Sequence, residues 1–487
     1  MSKLYVFGIG GTGSRVLKSL TMLLAAGVKC NDTIVPIIID RDIANGDLER
    51  TRDIVRDYIQ MNAEMAGKNL FFNTKMELLN NNKLELQLKD DTRKFSDYID
   101  RDGMSVENKA LTNILFSEDT LDMDMTVGFQ GNPNVGSVVL NQFENAGIFD
   151  DFVSKFNPND KIFVVSSIFG GTGASGFPLL LKTLRRLETS KQEGKWDNIR
   201  NAPFGAVTVL PYFDVKKDTT GKSLVKSSTF IDKTKAALSY YKSLDKQLDA
   251  LYYIADKERS SYEHSAGGKN QENKANFIEL ASALAIIDFA NTVTPERDKN
   301  DKAKVKKTTY KEFGIVPSKG NNAKEFSFAD MNETNKIIRQ PLIQFFLFRK
   351  YLQEVFDKEC KYQPYAQGRF NSAFLHSEKM KPLIIIQDKF YSWLKEMIWL
   401  DEEGKIKQDR SFAPLKLQNS TDVFDFISAT NNAKKGKGWA WMDNELNKQS
   451  RKVLKSGTIE LQFIELFYRA TENFVKNIVD HPNNETI

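Results

Sequence analysis

The stretch Ser166–Arg186, SSIFGGTGASGFPLLLKTLRR, decides the reading of this chain. It joins a β-branched run, KIFVVSS, to an amphipathic helix pattern. Between them stand Gly170, Gly171, Thr172, Gly173, Ala174, Ser175 and Gly176, with no bulky side chain among them. Glycine permits a tight turn and lets a ligand approach main-chain N–H groups. A following helix N-terminus adds free donors and a favourable dipole. Strand, small residues and helix in that order point to a phosphate site, and Thr172 adds a hydroxyl.

The N-terminus repeats the pattern. GIGGTGS, Gly8–Ser14, follows the apolar run LYVFG and opens TGSRVLKSLTMLL, in which Val16, Leu17, Leu20, Leu23 and Leu24 share a helical face. Alone it satisfies the dinucleotide-binding pattern, with Asp40 at the end of the next strand where a ribose-binding acid could sit. A plain NAD-binding oxidoreductase would explain this loop alone. Two such loops on neighbouring strands could hold a polyphosphate from two directions. A third stretch, VGFQGNPNVGS, sets Gly131, Asn132 and Pro133 ahead of a helix expected near Val135. TTGKS at Thr219–Ser223 imitates the end of a Walker A motif, but Lys216 stands where its leading glycine belongs, so it reads as a loop.

Around these loops, residues 3–255 alternate between strand and helix patterns. LYVFG, TIVPIIID, LFFNT, KIFVVSSI, FGAVTVLP and ALYYIA read as strands. Helices are expected at 43–65, 175–187 and 225–243. Continuous apolar strands separated by helices predict an α/β fold, a Rossmann-like parallel sheet covered on both faces. NKANFIELASALAIIDFA is an apolar helix beside or through the core. The charged stretch TPERDKNDKAKVKKTTYK reads as an exposed boundary. Beyond it come long helices, such as ETNKIIRQPLIQFFLFRKYLQEVF and IELQFIELFYRATENFVKNIV, with one strand, PLIIIQ. The expected division is a nucleotide-binding domain at 1–272, a central helix at 273–291, a charged linker at 292–323 and a helix-rich α+β C-terminal domain at 324–487.

Bulk composition agrees. The 487 residues are 41% hydrophobic and 27% charged, ordinary for a soluble protein. A net charge of +5 is too mild to argue for nucleic acid. Cys30 and Cys360 lie far apart and form no metal spacing, so a reducing cytoplasm is expected. His264, His376 and His481 are scattered, which argues against a histidine metal site or a Ser-His-Asp triad. No signal peptide or transmembrane segment is expected.

The three glycine stretches, in this order, resemble the tubulin/FtsZ GTPase superfamily. GIGGTGS is similar to its first phosphate loop, GFQGNPNVG to the FtsZ loop of the type G-x-G-A-G-x-N-P-x-V-G, and FGGTGASG to the tubulin signature. The resemblance covers roughly residues 1–291 and points to a divergent prokaryotic tubulin-like protein. It implies GTP or GDP as ligand, held by Gly8, Gly10, Gly11, Thr12, Gly13, Ser14, Gly131, Asn132, Pro133, Gly170, Gly171, Thr172, Gly173 and Ala174. Asp40 is counted with this set. Mg²⁺ would bridge phosphate oxygens with few protein ligands. The resemblance places Asp214 near the ribose, Asp256 near the base, and Asn276 against the guanine edge. The residues alone also allow Asn276 to be a helix N-cap. The family's in-trans catalytic loop, N-x-D-x-x-D, is absent after the central helix. Asp288, Glu296, Asp298 and Asp301 are the acids nearby.

The resemblance therefore implies a nucleotide-dependent, self-assembling or scaffolding protein, with slow or in-trans GTP hydrolysis, head-to-tail self-association and a protein partner at the C-terminal domain. On this reading, bulky replacement of Gly171 or Gly173 abolishes nucleotide binding and leaves the fold largely intact. The alternative is a ThiF or ubiquitin-activating type adenylyltransferase. GIGGTGS followed by IIIDRDIANGDLERT is similar to that family, with Asp40, Asp42, Asn45 and Arg50 binding ATP and Mg²⁺.

Overall fold

The computed structural model describes residues 2–65, 67–79, 83–86, 93–141, 147–186, 193–215, 229–244, 247–256, 260–262, 268–293, 308–315, 331, 333–398, 439–453 and 457–476. Eight strands are present among them: β1 (Lys3–Ile9), β2 (Thr33–Ile39), β3 (Lys161–Ser167), β4 (Phe204–Val209), β5 (Phe213–Val215), β6 (Ala250–Asp256), β7 (Ser260–Tyr262) and β8 (Thr309–Ile315). Six form one sheet in the order β2-β1-β3-β4-β6-β8, and every neighbouring pair is parallel. The short β5 and β7 pair separately. β2, β3 and β4 are buried along their whole length, as continuous apolar strands in a doubly covered sheet should be. The expected α/β fold is the one observed.

The helices that frame the sheet are α1 (Gly10–Ala25), α2 (Gly46–Met65), α3 (Pro133–Leu140), α4 (Gly171–Arg186), α5 (Phe230–Tyr241), α6 (Phe277–Thr292), α7 (Glu333–Tyr351), α8 (Lys381–Glu396), α9 (Ala440–Val453) and α10 (Ile459–Phe474). α1 is buried nearly all round, because β1, β3, α2, α6 and α8 all pack on it. Its Lys18 and Ser19, polar positions outside the expected apolar face, are covered by Glu396 and Trp393 of α8. The edge strand β2 tolerates Pro36. Ile34 and Ile38 donate outward to the carbonyls of Lys75 and Leu84, and Pro36 lies between them on that outer edge, where its missing N–H leaves β1 paired.

Three expectations change. LFFNT is a turn, with Phe72 at φ +55°. Phe71 and Phe72 are both fully buried, Phe71 against Phe348 and Tyr468, Phe72 against Phe345. Asn62 and Asn73 donate to the carbonyls this turn exposes. PLIIIQ is the start of α8. Pro382 sits in its first turn, where a missing N–H costs nothing, and Leu383, Ile386, Phe390, Trp393 and Leu394 are buried at helical spacing. The longer period overrides the β-branched run. Residues 309–315, expected within the charged linker, instead add β8 to the sheet beside β6.

Trp393 is 1% exposed and its indole N–H donates to Ser19 Oγ at 3.1 Å. Trp393→Ala should cost about 3–5 kcal/mol in urea unfolding, through lost burial and the cavity left against α1. A loss below about 1 kcal/mol would mean that α8 is not anchored there.

Candidate functional site

The sheet order reverses between β1 and β3. From β1 the chain moves outward to β2, then returns to β3 on the other side. A crevice at the carboxyl ends of the strands is expected at such a switch point, and it is where the glycine stretches converge. β1 ends at Ile9 and α1 begins at Gly10. β3 ends at Ser167 and α4 begins at Gly171, four residues before the expected start. The glycines are thus mostly first turns of helices rather than free loops.

Two contacts hold the strand-to-helix junctions tight. A Cβ on Gly13 would lie 2.4 Å from the carbonyl carbon of Gly8, and one on Gly173 would lie 2.7 Å from the carbonyl oxygen of Ser167. No side chain fits at either place. Gly10 has φ +70°, and a Cβ there would reach 3.2 Å from Thr172 Cβ, so the two helix starts face each other. A Cβ on Gly171 would lie 3.1 Å from the main-chain nitrogens of both Gly131 and Asn132, which brings in the third stretch. Asn132 caps α3 by accepting from Asn134 N and Val135 N, with Pro133 next in the first turn.

The electrostatics of these ends differ from those of their neighbours. α1 has no side-chain cap and no acidic residue in its first turn, and α4 has no acidic residue there either. α2 carries Asp47 and Glu49 in its first turn, and α6 has a full capping box. Uncapped first-turn N–H groups with no competing carboxylate suit an anion. Gly11, Thr172, Ala174, Gly170, Gly131 and Asn132 are partly accessible, which leaves a shallow surface of main chain and small side chains.

Other expected residues are engaged elsewhere. The Ser14 hydroxyl is fully buried and bonds Thr51 at 3.1 Å, so it joins α1 to α2. Asn276 is the N-cap of α6. It accepts from Ile278 N at 2.9 Å, and its own N–H donates to Glu279. Asp256 ends β6 in register with Ile315, and Asp214 pairs with Ser261 in the two-stranded ribbon. Asp288 lies on α6, about 17 Å along the axis from the helix start, and accepts from Tyr252 and Lys311. Glu296, Asp298 and Asp301 lie outside the described residues, as does TTGKS.

The adenylyltransferase set is also largely engaged, although Asp42 Oδ1 and Arg50 Nε have no hydrogen-bond partner among the described residues. Asp42 accepts from Gly268 N at 2.7 Å, Asn45 donates to Gln271, and Arg50 holds Asp47 and the Asn273 carbonyl. These bonds fasten the β2–α2 turn to the segment that leads into α6. Asp40 is buried at the end of β2. Burial, reinforced by Asp42, pushes its pKa up to about 7, against main-chain bonds from Asp42 and Arg41 that lower it.

A cluster not foreseen from the sequence underlies the first glycine stretch. Arg15, 3% exposed, bonds Glu279 at 2.6 Å, Asp47 at 3.1 Å and the Tyr212 hydroxyl at 2.7 Å. Tyr212 also donates to Glu279. Burial alone would raise the Asp47 pKa, but Arg15 and Arg50 outweigh it and hold the carboxyl below its ordinary range. Glu279, three residues after Asn276, follows the capping-box spacing and was legible in principle. The pairing of Arg15 with Asp47, 32 positions apart, had no local signal.

No family model matches the chain, and no curated protein matches it. Among solved structures it is similar to CetZ2 from Haloferax volcanii in a GTPγS-bound protofilament, at 14% identity and TM-score 0.30 over 60% of each chain. CetZ from Methanosaeta thermophila strain DSM 6194 is similar at 15% identity and TM-score 0.27, over 60% of this chain and 52% of that one. A GTPγS-form protofilament of TubZ from Bacillus thuringiensis serovar israelensis is similar at 14% identity and TM-score 0.27, over 80% of this chain and 81% of that one. The chain thus spans 60% and 52% of the lengths of the CetZ2 and CetZ chains. Among the described residues no helix is long and apolar enough to cross a membrane.

The contacts at Gly173 correct one expectation. Any side chain there strikes Ser167 main chain, so the junction between β3 and α4 must shift and stability should fall. Gly13→Ala and Gly173→Ala should each destabilise by several kcal/mol (about 2–4) or abolish soluble expression. Gly11→Ala, whose Cβ would have 3.5 Å of clearance to Arg15 Nη1, should keep or raise stability by about 0.5–1 kcal/mol. Equal stability for all three variants in urea would refute the tight junctions. Asp40 makes stability depend on pH. Below about pH 4 it is protonated whether folded or unfolded. Between there and pH 7 the folded chain holds the extra proton, so stability falls as pH rises, and the loss is complete above pH 7. Asp40→Asn should remove this slope and gain about 1–3 kcal/mol at pH 8. Parallel pH profiles of the two proteins would overturn the assignment.

Proposed function

We propose that the chain is a guanine-nucleotide-binding protein of the tubulin/FtsZ type that self-associates in a nucleotide-dependent way. The observation that carries the reading is the meeting of two helix starts with no acidic residue in their first turns, Gly10 and Gly171, at the switch point between β1 and β3. One such start suits the bridging phosphates of a dinucleotide. Two, with the third glycine stretch closing on the second, suit a triphosphate.

In this mechanism the main-chain N–H groups of Gly10, Gly11 and Thr12 from α1, of Gly170 just before α4, and of Gly171, Thr172 and Gly173 from α4, receive the phosphates. Gly8 and Gly13 act by letting β1 and α1 touch, and Ser14 by joining α1 to α2. Bound Mg²⁺ would neutralise phosphate charge. The family resemblance, rather than a contact among them, assigns the ribose to Asp214 and the base to Asp256 and Asn276, with Asn276 also capping α6. With Asp288 held by Tyr252 and Lys311 away from the helix start, hydrolysis is slow or completed by a neighbouring copy. Assembly then answers to the nucleotide's presence more than to its turnover.

The test is direct binding of GTP and ATP to the purified chain, with identification of any nucleotide released on denaturation. GTP should bind, ATP should not compete, and Gly11→Ala should weaken GTP at least tenfold while remaining folded. GTP should also shift the chain into a faster-sedimenting species. Binding of ATP alone, or of neither nucleotide, would overturn the reading.

A further inference from the structure

Beside the second and third glycine stretches, a cavity of about 390 Å³ opens between α3, α4 and α5. The volume is that of a small-molecule site, where a largely apolar wall and a few polar groups are the rule. Ile168, Pro178, Leu179, Ala237 and the rings of Tyr240 and Tyr241 line it. Pro133, Gly170 and Ala174 of the glycine stretches line it as well, so it adjoins the crevice.

One cation stands in this wall. Lys233, half-buried on α5, donates from Nζ to the Gly131 carbonyl at 2.6 Å. An ammonium carries three donors, so this bond leaves further capacity. Among the described residues no carboxylate pairs with Lys233, and burial lowers its pKa with no opposing charge to restore it. A partly buried cation without a counter-charge is unfavourable by itself and attracts an anion. Lys233 and Tyr240 are seven residues apart on one face of α5, about 10 Å along the axis. The cavity therefore has one cation and a largely apolar wall, with Asn134, Ser137 and Ser175 as its other polar side chains apart from the tyrosine hydroxyls.

We propose that this cavity binds a small amphipathic anion, a carboxylate on a hydrocarbon or aromatic body about 10 Å long, with its headgroup on Lys233 and its body along α5. The tie from Lys233 to Gly131 sets the occupant against the main chain that closes on Gly171. The ligand would thus adjust the same loop from the α5 side, next to Gly170. The cavity and its cation stand whether or not that crevice holds a nucleotide.

The test uses the full chain without nucleotide, titrated with 1-anilinonaphthalene-8-sulfonate and then competed with octanoate. Octanoate should displace the dye from a single saturable site, and neutral octanol should compete at least tenfold less well. Lys233→Met should weaken octanoate at least tenfold, Lys233→Arg should largely keep it, and Ala237→Phe, which fills the cavity, should abolish it. Urea unfolding of each variant confirms that it is folded. Equal competition by octanol and octanoate, unchanged affinity in Lys233→Met, dye binding that survives Ala237→Phe, or no saturable binding at all would each overturn the proposal.

Discussion

The structure depends on main chain lying against main chain where β1 turns into α1 and β3 into α4. At Gly13 and at Gly173 the helix backbone lies so close to the preceding strand end that a methyl group is excluded. This closeness has two effects. It seats both helix axes against the sheet, and it brings their first turns together at one edge of the molecule, where Gly10 faces Thr172. Side chains could not achieve this, because any Cβ at those crossings would push the helices apart and separate the two sets of N–H donors. The local cost is chain entropy, since each glycine loses more freedom on folding than another residue would.

How much of this was readable follows from where the information lies. The parallel sheet was legible because β1, β2, β3 and β4 are apolar runs bounded by turn residues, and each signal is local. The glycine junctions were legible because their spacing is local too. LFFNT and PLIIIQ were misread because a short apolar run carries no period of its own. Phe71 and Phe72 are buried by contacts with residues near 345 and 468, and PLIIIQ is set by a helical face that continues to Trp393. β8 was hidden by its charged surroundings, since an edge strand may be polar on its outer side. At the site, the phosphate-facing main chain was visible in the sequence, whereas the Arg15 cluster was not, because its partners come from α2, the turn after β4 and the start of α6.

That cluster explains why several plausible ligand-binding side chains are not free to bind. Arg15, Asp47, Glu279 and Tyr212 satisfy one another away from water, and Arg50, Asn45 and Asp42 extend the network to residues 268–273. Buried charges of this kind contribute little net stability as a set, but removing one member strands the others, at about 3–5 kcal/mol. The network is therefore a positional device. It fixes α1, α2 and the start of α6 relative to one another beneath the crevice.

The covering of α1 by α8 has a consequence for the order in which the chain is made. Lys18 meets Glu396 and Ser19 meets Trp393, across separations of 378 and 374 residues. At about 5–20 residues per second, the ribosome needs on the order of 20 to 75 s between making these partners. Throughout that interval β1, α1 and the growing sheet carry an open flank whose natural cover does not yet exist. The nascent N-terminal half is thus held in an unfinished state until the last third of the chain emerges. A chain stopped before α8 would keep that flank open for good, a substrate for chaperones and proteases.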